Sequence, residues 1–125
     1  MKKKPPISRL KRKAWGAFSE WIRKRGMDDK GFNSCVTCGK RDFWKNFHAG
    51  HFYHGKNSMS AMDERNVWCQ CPKCNTYLHG NLIEYSEFLR GKYGEGIIEI
   101  LRELKHQIFK PTRQELEDLI ERYKV

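Results

Sequence analysis

The sequence predicts an α+β fold: a small core of short strands and a helix stapled by cysteines, preceded by a basic amphipathic helix and followed by two more helices. Three observations carry this. Two Cys-x-x-Cys pairs, Cys35-Val36-Thr37-Cys38 and Cys71-Pro72-Lys73-Cys74, bracket the middle of the chain. Near and between them lie short β-like runs, RDFWKNF, HFYH and VWCQC. Outside them apolar residues recur every three or four positions, the period of a half-buried helix. The 125 residues suit one domain. It is read as a flexible basic arm over 1–8 and a single domain over 9–125, with a basic helix at 9–26, a cysteine-rich core at 35–94 and C-terminal helices at 95–125.

Each element has its reason. KKK and PP near the start disfavour helix. Ser8 is a candidate N-cap for a helix whose stripe is Leu10, Ala14, Ala17, Phe18, Trp21 and Ile22, ending near Gly26. Its polar side leaves Lys11, Arg12, Arg23, Lys24 and Arg25 free for phosphates. Residues 27–34 read as a loop. A strand, a connection rich in Ser, Gly and Asn (His54 to Ser60), a second strand and a helix opening at Pro72 make up the core. Pro suits the first helical turn because its missing N–H costs nothing there. That helix runs to Gly91–Gly94, with Gly80 as its weak point. Ile97, Ile98, Leu101, Leu104 and Ile108 mark the next helix, which Pro111 ends. Thr112 with Glu115 forms a capping box for the last, striped by Leu116, Leu119, Ile120 and Tyr123. Both stripes serve a core or a dimer contact. Trp15, Trp21, Trp44 and Trp68 are read as packing residues rather than base-stacking platforms.

Charge narrows the function. Lys and Arg total 25 against 15 acids, a net of +10. Residues 1–30 carry +8, residues 31–94 +3 and residues 95–125 −1, which is the footprint of a protein that grips a polyanion. Nucleic acid is the expected partner. Mean hydropathy is −0.84, and no apolar run approaches the ~20 residues a membrane helix needs. The basic start is followed by no apolar segment of the kind that directs export, so a cytoplasmic location is expected. Aromatic residues make up 13%, too many for a disordered polycation.

Cys35, Cys38, Cys71 and Cys74 have the spacing that presents four thiolates to one tetrahedral Zn²⁺. Two disulfides are the alternative. An odd count of five cysteines and the missing export signal disfavour it. Four thiolates leave no open coordination position, so such a zinc is structural. Cys69 falls two residues before Cys71, on the same side of a strand, where it competes as a ligand or stays a buried free thiol.

Between the knuckles runs Phe47-His48-Ala49-Gly50-His51-Phe52-Tyr53-His54. Asn66 precedes the next strand and Asn75 follows the last zinc cysteine. Hydrolysis of a phosphodiester needs a base for water, a group that fixes the base's tautomer, and a divalent cation for the developing charge. His suits the first task, and an Asn amide or a backbone carbonyl the second. His, Asn or Asp suits the third. His54 and His106 read as surface residues.

CVTCG, HAGHF, DERNVWCQCPKCN and HGNLIEY together resemble the HNH or ββα-metal nucleases, with their treble-clef-like core, and more narrowly the NinG/Rap family of phage recombination proteins. The resemblance covers residues 10 to about 100. It implies a metal-dependent, structure-specific DNA endonuclease that cuts branched recombination intermediates such as a Holliday junction, D-loop or flap. Carried over residue by residue, it implies His51 as general base, Asn66 as the support of that base or its loop, and Asn75 as a ligand of a catalytic Mg²⁺ or Mn²⁺. The chain departs from the pattern at Gly50, where many such sites place a metal ligand. His48 becomes the second ligand candidate, and His79, four residues after Asn75 on the same helical face, a third. Work on a two-fold junction favours a homodimer. A second reading of the same residues is a noncatalytic zinc-ribbon DNA-binding module or recombination adaptor.

Overall fold

The structure, a computed structural model, describes residues 3–125, so the first two positions of the expected arm lie outside the described residues. In chain order the elements are α1 (Ile7–Lys24), β1 (Phe32–Ser34), β2 (Arg41–Phe43), β3 (His48–His51), β4 (Val67–Gln70), α2 (Leu82–Tyr93), α3 (Ile97–Lys105) and α4 (Arg113–Arg122). A 3-10 turn covers Trp44–Asn46 and a π-helical turn Lys73–Tyr77. A basic N-terminal helix, two short hairpins and C-terminal helices make a mixed α+β fold, as the periodicity implies.

Pro6, not Ser8, occupies the α1 N-cap position, and no side chain caps it. Residues 7 and 8 of the expected arm are therefore helical. Leu10, Ala14, Phe18 and Ile22 are the buried stripe. Past the other end Gly26 takes φ +84°. There Asn33 Nδ2 donates to the carbonyls of Arg23 and Arg25 at 2.8 and 3.0 Å, satisfying acceptors that a helix end leaves open.

The segment 27–34, read as a loop, supplies β1. It pairs with β2 in the register Phe32↔Phe43, Asn33↔Asp42, Ser34↔Arg41. The first cysteine knuckle thus forms the turn of a hairpin. Asp28 organises its approach, accepting from the Lys30 and Phe32 N–H groups at 2.9 Å each and pairing with Arg41 at 2.8 Å.

β3 and β4 pair antiparallel as His48↔Gln70, Ala49↔Cys69, Gly50↔Trp68 and His51↔Val67. Strand side chains alternate between faces, and both faces are covered. On one, Val67 packs with Phe18, Ile22 and Tyr123, with Ala49 beside them. On the other, Trp68 joins Phe52, Tyr85, Leu89, Ile97 and Leu101. Leu116 of α4 closes onto Leu10 and Ala14 of α1. Of the two C-terminal stripes, Ile97, Leu101 and Leu116 are buried inside the chain, which removes these residues from the dimer contact that the stripes offered, whereas Ile108 is 70% exposed.

The long helix expected from Pro72 to Gly91–Gly94 is broken. His79, Gly80 and Asn81 take φ of +50°, +95° and +48°, and α2 starts afresh at Leu82. The cause is long-range bonding. Gly80 N–H donates to the Cys74 carbonyl at 2.8 Å, and the Gly80 carbonyl accepts from Gln70 Nε2 at 2.8 Å. Helix α3 also ends early, because Ile108 bridges to Ser58 and the Phe109 N–H donates to the Asn57 carbonyl at 2.8 Å. No helix among the described residues is long and apolar enough to cross a membrane.

Arg25 corrects the charge reading. Its guanidinium donates to the carbonyls of Glu64 (3.0 Å) and Val67 (2.7 Å) and lies 3.4 Å from the Trp68 ring centroid. Burial lowers its pKa. It is a bolt between α1 and β4 rather than a free phosphate ligand. Arg25→Met should lower stability by about 2 kcal/mol or more, because two carbonyls lose a charged donor. Urea titration should show this as a lower midpoint, with Lys11→Ala as a near-neutral control.

Candidate metal centre and histidine pocket

The first knuckle hangs on β4 through the Val36 N–H, which donates to the Cys69 carbonyl at 3.0 Å. The second opens the π-helical turn directly after β4. This brings the Sγ atoms of Cys35, Cys38, Cys71 and Cys74 within 4.8 Å of one another, with Cys38 and Cys71 3.7 Å apart. A tetrahedral Zn²⁺ with ~2.3 Å bonds spaces its sulfurs about 3.8 Å apart, so the cluster is compatible with a structural Zn²⁺. Donors already point at the sulfurs. The Thr37 hydroxyl lies 3.2 Å from Cys35 Sγ, the Cys74 N–H donates to Cys71 Sγ at 3.4 Å, and Asn81 Nδ2 to Cys74 Sγ at 3.6 Å. Cys69 lies outside the cluster, where burial pushes its thiol up to about 12. That keeps it protonated. All five cysteines are free.

Of the residues expected around a catalytic cation, two meet. Asn75 Nδ2 donates to His48 Nδ1 at 2.9 Å. His79 does not share a helical face with Asn75, because it stands in the left-handed turn after the helix has ended. Gly50 has a packing reason: a Cβ there would run into the side-chain amide of Gln70. Gln70 is fully buried and also donates to Thr37 Oγ1 at 3.1 Å, so it cannot step aside. Position 50, where the resemblance led to the expectation of a metal ligand, has no room for a Cβ beside Gln70.

His51 faces the other way. It ends β3 three residues beyond His48, about 10 Å along the strand and on the α1 face of the hairpin. Its Nε2 lies 2.8 Å from the Ala61 carbonyl. A carbonyl can only accept, so Nε2 carries the proton and Nδ1 the lone pair. The ring stacks on Trp15 at 5.1 Å and 20°. Burial lowers the His51 pKa below 6.5, nearby His54 adds to this, and the bond to Ala61 opposes it. The imidazole is therefore neutral at pH 7. Asn66 is fully buried, accepting from the Tyr53 N–H at 2.9 Å and donating to the carbonyls of Tyr53 and Ser60 at 3.0 Å each. It clips residues 53 and 60 together and so sets the Ala61 carbonyl against His51.

A cleft of about 730 Å³ opens beside His51, bordered by Lys11, Arg12, Trp15 and Lys56. The cations of α1 therefore divide. Lys11 and Arg12 reach this cleft, whereas Arg23 and Lys24 lie over the Trp44 ring at 5.1 and 4.6 Å, with Lys24 also 3.3 Å from Glu20. Sequence reasoning missed Lys56, which belongs to no charge run, and Ala61, whose contribution is a backbone carbonyl. It also missed Trp15 as a wall of the cleft.

Fold and cluster together define a small α+β protein in which two cysteine knuckles build one four-sulfur cluster, compatible with a metal ion, beside a hairpin covered by helices. Within that class, the chain belongs to the family described as Bacteriophage Lambda NinG protein, whose profile matches residues 2–125. Two curated relatives called Protein ninG, from Escherichia phage 933W and Enterobacteria phage VT2-Sa, are each 28% identical over 122 residues, 94% of this chain and 56% of theirs. The chain thus spans about half the length of the curated relatives it matches. No solved structure matches it.

Metal analysis should find about one zinc per chain, and stripping it should abolish cooperative unfolding, since a closed four-thiolate site contributes directly to folding. For His51, the unfolded chain holds more protons than the folded one between the folded pKa and 6.5. Stability should consequently fall as pH drops through 6.5 and level off below the folded pKa. The gap in urea midpoint between wild type and His51→Gln, followed from pH 7.5 to 5, should shift in that direction.

Proposed function

We propose that the protein is a metal-dependent DNA endonuclease of phage recombination that hydrolyses a phosphodiester in branched DNA within the host cytoplasm. The observation that carries this reading is the His51 imidazole, neutral and tautomer-fixed by the Ala61 carbonyl, beside a cleft bordered by Lys11, Arg12 and Lys56. Nδ1 is the base that takes a proton from water, and the cations hold the phosphate under attack. Asn66 positions the loop that fixes the tautomer. β3, β4 and the helical turn after Cys71 form the ββα element of this reading, which the structural zinc keeps in register.

A divalent Mg²⁺ or Mn²⁺ would be held by His48 Nδ1 and Asn75 once the Asn75 amide turns its oxygen toward the ion, and would neutralise a backbone phosphate neighbouring the one attacked beside His51. Two neutral donors leave most of an octahedral shell to water and phosphate oxygens, which makes the bound DNA part of the site. Because this pair lies on the opposite face of the hairpin from His51, no proton is routed through it.

One observation favours the second reading, a noncatalytic zinc-bearing DNA-binding module. Among the described residues the four cysteines are the only group of three or more His, Cys, Asp or Glu placed to hold a metal ion, so no carboxylate joins His48 and Asn75. Incubation with a Holliday junction, D-loop, flap and linear duplex in Mg²⁺, Mn²⁺ or EDTA separates the two. Nicking of branched substrates that needs added metal, and that His51→Ala slows by about 10²-fold or more with binding and zinc content intact, is the expected result. Binding without cleavage of any substrate would assign the protein to the second class.

A further inference from the structure

We infer that the cleft beside His51 takes a whole unstacked nucleotide, with its phosphate on the rim cations and its base against Trp15 and Met62. This rests on the DNA-acting reading of the cleft and names the form of DNA it selects. Size is the first argument. About 730 Å³ is far more than a phosphate group fills and lies within the ~300–1,000 Å³ of clefts that bury small-molecule ligands. The lining is the second. Lys11, Arg12 and Lys56 are exposed and cationic, no acid borders the cleft, and Trp15 and Met62 form a half-buried apolar wall between them.

A site for backbone phosphate alone needs no such wall, because a duplex presents phosphate and sugar outward and keeps its bases stacked inside. Cations beside an aromatic face are instead the arrangement that binds single strands, where each base offers a π-face to stack upon. Trp15 is placed in advance for this. Stacking on His51 at 5.1 Å and 20°, and contact with Phe18 at 5.9 Å, hold the indole in one orientation. A nucleotide can enter only by leaving its own stack, which costs least where it is unpaired. Structure selectivity therefore resides in the cleft itself.

The test is affinity for three DNAs without added divalent cation: an uninterrupted duplex, a duplex with one bulged thymidine, and the same bulge carrying an abasic site. Wild type should bind the thymidine bulge about tenfold more tightly than the abasic one. Trp15→Ala should erase that gap while keeping duplex affinity, and Trp15→Phe should retain part of it. Equal affinity of wild type for the two bulges overturns the inference without reference to any variant. So does a Trp15→Ala loss that is the same for both bulges. Nicking activity is measured separately, so a protein that shows the gap but never cuts refutes the nuclease reading alone, and one that cuts without the gap refutes this inference alone.

Discussion

A two-stranded hairpin of four residues a side does not hold itself together in water, and the β3–β4 hairpin is the constraint on which this fold depends. Its strand alternation sends Val67 to Phe18 and Ile22 on one side and Trp68 to Tyr85 and Leu89 on the other. Every larger element is present to cover one of those faces. Tyr85 shows how tightly the cover is fixed, because its fully buried hydroxyl donates to the Gly50 carbonyl at 2.6 Å. The same alternation separates the chemistry. His48 turns toward the helical turn that carries Cys74 and Asn75, and His51 turns toward α1.

What the sequence made legible was local. Two residues between paired cysteines announce that the four sulfurs converge, and the Thr112–Glu115 box forms in both directions at 3.1 and 3.0 Å. The α1 stripe needs only its own period. The break at 79–81 was signalled only by Gly80, because Leu82, Ile83 and Tyr85 keep a helical spacing from the residues before them. The deciding bonds come instead from Gln70 and from the Cys74 carbonyl. Strand β1 was hidden likewise, since three residues are recognisable as a strand only from their partner. At the site, His51, Asn66 and Asn75 stand out by pattern, but pattern alone does not say which meet. The strand period does say that His48 and His51, three apart, face opposite ways.

Charge was legible as a total and not as an assignment. Of five cations singled out on and just beyond α1, Arg25 is consumed by backbone carbonyls and Trp68, and two lie over Trp44. A cation over an aromatic ring gains ~0.5–1 kcal/mol at an exposed site, enough to bias where a flexible side chain rests. Trp44 and Trp68 thus sort the basic residues into structural and available ones. Lys11, Arg12 and Lys56 remain beside the cleft.

The contact between α1 and α4 has a kinetic consequence. Leu10 and Ala14 meet Leu116, and Tyr123 packs on Phe18 at 4.9 Å, pairings between residues roughly a hundred positions apart. The cysteine knuckles close a loop about a third as long, and shorter loops close at lower entropic cost. Long-range contacts slow folding, so during synthesis the four-cysteine core can assemble while α1, with Trp15 and the cations beside His51, still lacks the helix that clamps it. The cysteine core can therefore close before the cleft is complete, and the cleft beside His51 is expected to form late.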